Sequence, residues 1–121
     1  MSIKRLVLGP GAIREPHWHA NANELTYCLR GTLLVTVFDN ADEFSSFTIA
    51  AGQMFHIDSG ALHHVENIGD DTAELIVVFS HERPEDFSLR GAFGAMTDAV
   101  LGNTYDLPAA AWAAVPRDTT S

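Results

Sequence analysis

Residues 17–24, HWHANANE, place two histidines two positions apart and a carboxylate five positions after the second histidine. Side chains alternate between the two faces of a strand, so His17 and His19 point the same way, about 6.6 Å apart along the backbone. Two imidazoles in that arrangement can bind one metal ion. Glu24 opens the next apolar run after the turn-forming residues 20–23. An antiparallel neighbouring strand would bring its carboxylate beside both imidazoles.

The sequence around this segment has the pattern of an all-β protein. Runs rich in Val, Leu, Ile, Phe and Thr alternate with turn signals about every eight to twelve residues, which is typical of a sandwich or barrel. Groups of glycine, aspartate and asparagine mark these turns. The pattern predicts roughly eight strands, near residues 3–8, 12–19, 24–29, 32–38, 45–50, 53–57, 62–67 and 73–80.

Two further segments concern packing. The run TLLVTVF, residues 32–38, is apolar at odd positions and largely apolar at even ones. Both faces of that strand should therefore be covered, either between sheets or at a subunit interface. After Ser80 the chain becomes rich in alanine, and Asp106 precedes Leu107 and Pro108 as a helix N-cap. This predicts a helix near residues 107–115, with so little charge that it needs an apolar surface to lie on.

Length and charge limit the class of protein. The 121 residues suit one domain, residues 1–121, with a barrel at about 3–80 and a helical extension at about 86–116. The formal net charge of −9 repels nucleic acid and anionic membrane surfaces, so neither is an expected partner. The single cysteine, Cys28, excludes an internal disulfide. The first residues lack the apolar core of a signal peptide, and we expect a soluble, cytoplasmic protein.

A metal site built on His17, His19 and Glu24 needs a further ligand. His63, which follows the tight turn DSGAL, is the best-placed candidate, whereas the adjacent His64 should face away by alternation. Three imidazoles and one carboxylate suit a divalent ion such as Mn, Fe, Co, Ni or Zn, with positions left open for substrate or water.

The surroundings of this site can also be predicted. Thr26 and Cys28 share the strand parity of Glu24, so we expect them to line the same cavity. Met54, Phe55 and Leu62 are the expected apolar wall that keeps water from the site.

Two longer motifs in the sequence resemble those of a known family. GAIREPHWHANANELTYCLRG, residues 11–31, is similar to the first cupin motif. GQMFHIDSGALHHVEN, residues 52–67, resembles the second, with Gly52, Gly60, His63 and Asn67 in register and Asp58 where proline is usual. The resemblance implies a cupin fold, a double-stranded β-helix or jelly-roll-like barrel with short C-terminal helices. It also implies His17, His19, Glu24 and His63 as the metal ligands.

Within the cupins, the chain resembles the oxalate decarboxylase group, the bicupins related to germins, and especially their C-terminal cupin. The segments that carry this likeness are GAIREPHWH, HHVENIGDD, VVF at 77–79 and VLGNTY at 100–105. This resemblance implies a single-cupin, Mn-dependent enzyme that converts oxalate to formate and CO2, with dioxygen as a possible co-reactant. Fe, Co, Ni and Zn stay open as alternative metals.

The resemblance also implies roles for individual residues. In that family an arginine three residues before the first histidine grips oxalate, and Arg14 has this position. The family's proton donor lies on a lid with a Ser-Glu-Asn-Ser stretch, which this sequence lacks. The segment SHERPED, residues 80–86, offers Glu82, Glu85 and Asp86 instead. Val77 stands where the family's C-terminal cupin can carry a glutamate.

Other functions stay open from sequence. One is a metal-dependent protein that binds oxalate or another small anion without turnover. Another is a cupin dioxygenase or isomerase that acts on another small acid. Because the related bicupins pack two barrels face to face, we expect a homodimer in which each subunit carries its own metal.

Overall fold

The computed structural model describes residues 1–40, 43–97, 99–100 and 108–112. The chain divides into two compact units, Met1–Asp86 and Phe87–Ser121. The predicted helix near 107–115 lies largely outside the described residues. Within them, a short 3-10 helix covers Ala109–Trp112.

The described residues of the first unit form eight strands, and the all-β prediction is confirmed. The predicted and observed strands differ by at most two residues at either end. The strands are β1 (Ser2–Leu8), β2 (Ile13–Trp18), β3 (Glu24–Arg30), β4 (Thr32–Asn40), β5 (Glu43–Ala50), β6 (Met54–Ile57), β7 (Leu62–Asn67) and β8 (Ala73–Phe79).

These strands form two antiparallel sheets. One sheet has the order β1-β8-β3-β6, and within the first unit the other has the order β5-β4-β7-β2. Neighbours in each sheet are mostly distant in sequence, so the chain crosses repeatedly from one sheet to the other. Strands β2 and β7 are therefore adjacent in one sheet, and β3 lies in the other.

Side chains from the inner faces of both sheets form one core. On β3, Glu24, Thr26 and Cys28 are buried while the residues between them are exposed, as expected for a strand with one face toward the core. Phe47 of β5 and Phe55 of β6 meet across the sheets, with ring centroids 5.8 Å apart. The core therefore spans both sheets.

The expectation that both faces of residues 32–38 are covered holds only in part. Leu33, Val35 and Val37 are buried on the core side. On the other face Thr36 is buried and Leu34 is half-buried, but Phe38 is 42% exposed. Side chains of the paired strands flank this face, and the hydroxyls of Thr36 and Ser46 of β5 are 2.7 Å apart.

A close backbone approach fixes the turn between β3 and β4. Gly31 has a φ of 97°, in the left-handed region where residues with a Cβ are strained. A Cβ at this position would lie 2.7 Å from the Cβ of Ala73. The turn thus needs glycine both for its dihedral angle and for space.

The second unit begins with strand β9 (Phe87–Ser88) and helix α1 (Leu89–Gly94). The Ser88 hydroxyl caps α1 by accepting a hydrogen bond from the Gly91 N–H. None of the helices in the described part of the chain has the length and apolar character needed to cross a bilayer.

Candidate metal centre

Four side chains from three strands and one loop meet inside the first unit. His17 lies on β2, directly opposite His63 on the adjacent β7. His19 follows immediately after β2, and Glu24 is the first residue of β3 in the other sheet. The structure thus brings together the four residues that the sequence predicts as metal ligands.

The donor atoms of this cluster are close enough to share one ion. One nitrogen from each of the three histidines and one oxygen of Glu24 all lie within 4.8 Å of one another. The His17 and His63 ring centroids are 4.2 Å apart, and those of His17 and His19 are 5.0 Å apart. All four side chains are buried.

Backbone carbonyls orient all three rings. The Nδ1–H of His17 donates to the carbonyl of Glu15 at 2.6 Å, and that of His63 donates to the carbonyl of Ala61 at 2.9 Å. His19 Nδ1 donates to the carbonyl of Glu85 at 3.1 Å. These bonds place the proton on Nδ1 and leave the Nε2 lone pair free for an ion, as in most protein metal sites.

The free ring nitrogens show what the cluster lacks. Within the described residues, Nε2 of His19 and Nε2 of His63 are buried without a hydrogen bond of normal geometry. They lie 3.2 and 3.4 Å from Glu24 Oε1. Glu24 Oε2 accepts a hydrogen bond from the Thr26 hydroxyl at 2.8 Å, which fixes the carboxylate. Buried polar atoms without partners are costly, and a divalent cation would satisfy them.

The ionisation of the cluster suits cation binding. Burial, reinforced by the nearby His63, lowers the pKa of His17 from the ordinary 6.5 to about 4, so its imidazole is neutral at neutral pH. Burial alone would raise the pKa of Glu24, but interactions with His19, His63 and Thr26 outweigh it. The pKa of Glu24 therefore lies well below its usual range, and the residue is a carboxylate.

A cavity of about 100 Å³ opens beside the cluster. The four candidate ligands and Thr26 line one part of it, and its apolar wall consists of Leu6, Val65, Leu75, Val77 and Phe79. Arg14 also lines the cavity and forms an ion pair with Asp86. Arg14 thus presents a guanidinium to the space next to the cluster, and Asp86 is its ion-pair partner.

The three acidic residues that the sequence predicts as proton donors have different positions. Asp86 lines the cavity beside Arg14. Glu85 has an exposed side chain, and its backbone carbonyl holds His19. Glu82 is exposed and does not line the cavity. Of the three, Asp86 is the one whose carboxylate is close to the candidate site.

Asn21 holds this acidic segment in place, a role that was not predicted from sequence. Its side-chain oxygen accepts from the Glu85 N–H at 2.7 Å, and its side-chain nitrogen donates to the Arg83 carbonyl at 3.1 Å. The segment that carries Asp86 is therefore tied to the loop between β2 and β3. The asparagines in HANANE signal a turn, but its tertiary partner could not be read from them.

Several predictions about the cavity wall are wrong. Cys28 is fully buried in the core and does not line the cavity, and burial raises the pKa of its thiol. Phe55 is also a core residue, Met54 is 57% exposed, and Leu62 is half-buried outside the cavity. The wall comes instead from β1, β7 and β8, because these strands complete the inner faces around the cluster. Thr26 lines the cavity as predicted.

Comparison with known proteins agrees with this architecture. A family model described as Cupin matches residues 1–111. The chain belongs to the cupin family, and the predicted fold class is confirmed.

The chain is similar in sequence to two kinds of curated protein. It is 36% identical over 111 residues to germin-like protein 5-1 of Oryza sativa subsp. japonica, an alignment that covers 88% of this chain and 50% of that protein. It is 36% identical over 98 residues to an oxalate decarboxylase of Bacillus subtilis (strain 168), covering 81% of this chain and 26% of that protein. The chain thus spans half or less of these relatives.

Solved structures of oxalate enzymes share the fold. An oxalate decarboxylase of Lactobacillus farciminis in complex with formate superposes with a TM-score of 0.90 at 27% identity, covering 96% of this chain and 34% of that one. An oxalate oxidase superposes with a TM-score of 0.87 at 27% identity, covering 92% of this chain and 59% of that one.

Proposed function

We propose that this cupin is a metal-dependent enzyme that acts on oxalate or a similar small dicarboxylate or oxo acid, most concretely an oxalate decarboxylase. The observation that carries the proposal is the convergence of four donor atoms within 4.8 Å beside a cavity lined by Arg14. The similarity to oxalate decarboxylases and an oxalate oxidase supports this substrate class.

We propose Mn²⁺ as the ion, held by His17, His19, Glu24 and His63. Three imidazoles and a carboxylate suit Mn, Fe, Co, Ni and Zn. Manganese is favoured because the similar oxalate decarboxylase of Bacillus subtilis has Mn(II) centres. Bound by these four residues, such an ion would supply a Lewis acid for one carboxylate of the substrate and, with dioxygen, an acceptor of electron density.

Arg14 supplies the second contact for the substrate. A guanidinium holds a carboxylate through two parallel charge-assisted hydrogen bonds. Before substrate binds, Asp86 makes this contact with Arg14. An incoming carboxylate therefore competes with Asp86 for Arg14, and its arrival frees the Asp86 carboxylate at the cavity wall.

Asp86 is our proposed proton donor: once released from Arg14, its carboxylate takes up a proton from solvent and passes it to the substrate carbon. In the reaction, the C–C bond of oxalate breaks, CO2 leaves, and the remaining carbon takes a proton to become formate. The net change consumes one proton per oxalate dianion. Asp86 is favoured over Glu82 and Glu85 because its side chain lines the cavity.

The test is an assay of oxalate turnover by protein expressed with added Mn, with metal content measured on the same sample. Formate and CO2 in equal amounts, from protein with about one Mn per chain, would support the proposal. Full metal occupancy with no product would overturn the decarboxylase assignment.

Three alternatives predict different outcomes of that assay. A non-catalytic binder is favoured by the resting Arg14–Asp86 pair and by the exposed positions of Glu82 and Glu85. It would bind oxalate in calorimetry without any product.

An oxalate oxidase would consume dioxygen and release hydrogen peroxide and two CO2 without formate. If a dioxygenase or isomerase for another acid were correct, oxalate would act as an inhibitor.

We also propose that one cupin domain, residues 1–121, assembles as a homodimer. The outer face of the β1-β8-β3-β6 sheet supports this, because its large apolar side chains are exposed: Ile3, Leu25, Tyr27, Leu29 and Met54. Light scattering on the purified protein tests it. The double variant Leu25→Lys, Met54→Lys should shift a dimer toward monomer, and a monomeric wild type would overturn the proposal.

A further inference from the structure

Lys4 is a cationic residue that the proposed chemistry does not use, and it lines the same cavity. It lies on β1 opposite Val77 of β8, which in turn lies opposite Thr26 of β3. Residues opposite one another in a sheet share a face, so Lys4 lies on the side of the sheet that carries Val77 and Thr26. The positions of Lys4 and Thr26 are two strand spacings apart, about 10 Å.

The ammonium group of Lys4 extends over the apolar wall of the cavity. Its Nζ is 5.8 Å from the centroid of the Phe79 ring, and that ring packs against His19 with centroids 4.7 Å apart. The charge is therefore held near one of the candidate ligands through an aromatic contact.

Lys4 differs from the other basic residues of the cavity wall in lacking a counter-ion among the described residues. Arg5 pairs with Glu74 at 2.5 Å, and Arg14 pairs with Asp86. Within the part of the chain that the structure describes, Lys4 makes no ion pair. Its charge is uncompensated locally, in a protein with a net charge of −9 that repels anions overall.

We propose that Lys4 is a second anion contact, which makes this cavity select small dianions with two carboxylates over monocarboxylates of the same size. The inference rests on the proposed function, in which one carboxylate binds at the metal cluster. The second carboxylate lies toward Arg14, which has to give up its resting pair with Asp86 in order to hold it. Lys4 supplies the additional positive charge that distinguishes a second carboxylate from a neutral group.

Oxalate and oxamate test this selectivity, because oxamate has the shape of oxalate but carries an amide in place of one carboxylate. We would measure the affinity of both for the Mn-loaded protein by calorimetry near neutral pH. The variant Lys4→Met removes the charge and keeps an apolar chain over Phe79. Lys4→Arg restores a charge, and Arg30→Met removes an exposed charge that does not line the cavity.

We expect Lys4→Met to weaken oxalate binding about tenfold and oxamate binding by less than about twofold, as a local charge effect requires. Lys4→Arg should keep most of the preference for oxalate, and Arg30→Met should leave it unchanged. Equal losses for both ligands, or the same loss in Arg30→Met, would overturn the role of Lys4 while oxalate binding itself stands. A Mn-loaded wild type that binds neither ligand would overturn both this inference and the proposed function.

Discussion

His17 and His63 stand directly opposite each other on the paired strands β2 and β7, with ring centroids 4.2 Å apart. Their separation is thus set by the spacing of neighbouring strands rather than by a loop. The register of β2 shifts between Arg14 and His17, and such irregularities re-aim side chains at functional sites. Half of the candidate ligand set therefore belongs to a rigid frame, which favours a preformed metal site.

Replacing His63 with glutamine should abolish metal binding. The variant removes one of the four donors, an imidazole that is fully buried in the cluster. Since loss of even an outer-shell partner costs about 10- to 100-fold in metal affinity, loss of a ligand should cost at least about 100-fold. Equilibrium dialysis against Mn²⁺ with elemental analysis measures the change.

His64→Gln is the matched control for that experiment. His64 is the next residue on β7, is half-buried, and does not line the cavity. We expect this variant to bind Mn²⁺ as the wild type does. Retention of metal by His63→Gln, or an equal loss in His64→Gln, would contradict the proposed ligand set.

The metal-free protein should lose stability as the pH falls through the range in which unfolded histidine takes up a proton. The pKa of His17 is lowered to about 4 in the folded chain, against an ordinary 6.5. Below 6.5 the unfolded chain therefore binds the proton first, and the folded state loses up to about 3 kcal/mol by about pH 4. Glu24, whose pKa is also lowered, continues the loss at more acidic pH.

Urea unfolding of the metal-free protein from neutral pH to about pH 4.5 measures this loss. The His17→Gln variant lacks the titrating group, so its stability should fall less steeply across the same range. Parallel pH profiles for the variant and the wild type would show that burial of His17 does not control the acid sensitivity.

The strand pattern and the four candidate ligands were accessible from sequence because both depend on local spacing. Alternating apolar residues mark the strands, and the His-x-His pair on one face followed by Glu24 restricts where an ion could bind. Assigning His63 as the fourth ligand depended on the second cupin motif, residues 52–67. The pairing of β2 with β7, which makes His63 the neighbour of His17, is a long-range contact that local pattern does not contain.

The cavity wall was not accessible in the same way. The alternating strand pattern indicates that Cys28 and Phe55 point into the protein. The interior is divided between a packed core and a cavity, however, and alternation along a strand does not tell which of the two a residue faces. Lys4 and Asn21 act through partners far along the chain, at Phe79 and in the segment 83–85. Such roles follow from the arrangement of the two sheets and not from neighbouring residues.

Replacing Asp86 with asparagine should reduce oxalate turnover and leave the metal in place. The amide keeps the size of the side chain but cannot donate the proton. We expect kcat to fall by about 10²- to 10⁴-fold, the range for a positioned general acid. Oxalate should bind at least as tightly as before, because Arg14 loses its resting partner. Formate production and calorimetry measure the two effects.

Glu82→Gln is the control for Asp86→Asn, because Glu82 belongs to the same segment and is exposed away from the cavity. Its turnover should remain close to that of the wild type. If Asp86→Asn kept full activity, Asp86 would be no more than the counter-ion of Arg14, and the proton would have to come from another group or from water.

Replacing Gly31 with alanine should destabilise the protein strongly. The added Cβ would lie 2.7 Å from the Cβ and 2.8 Å from the Cα of Ala73, which is fully buried. The left-handed φ of Gly31 adds backbone strain, so we expect a loss of about 2–4 kcal/mol in the free energy of unfolding. Gly9→Ala is the control, since a Cβ there meets nothing within 4 Å. Urea denaturation should show at most a small change for Gly9→Ala, and equal effects of the two would contradict the steric argument.

Replacing Asn67 with aspartate should be more damaging than the same change at an exposed asparagine. Asn67 is 1% exposed. Its side-chain nitrogen lies 2.9 Å from the carbonyl oxygen of Leu8, 3.0 Å from that of Gly9 and 2.8 Å from that of Asp71. A carboxylate there would point an acceptor at three acceptors, and a buried charge without partners is costly.

We expect Asn67→Asp to lower the free energy of unfolding by at least about 3 kcal/mol at neutral pH. Asn23 provides the matched control, because its side-chain oxygen accepts a hydrogen bond from the Ser59 N–H and an aspartate would keep that acceptor. Asn23 is also exposed, so Asn23→Asp should change stability by less than about 0.5 kcal/mol. Comparable stabilities of the two variants in urea denaturation would show that the three carbonyls around Asn67 do not require a donor. A large loss for Asn67→Asp alone would establish that the Asn67 amide ties the end of β7 to the end of β1.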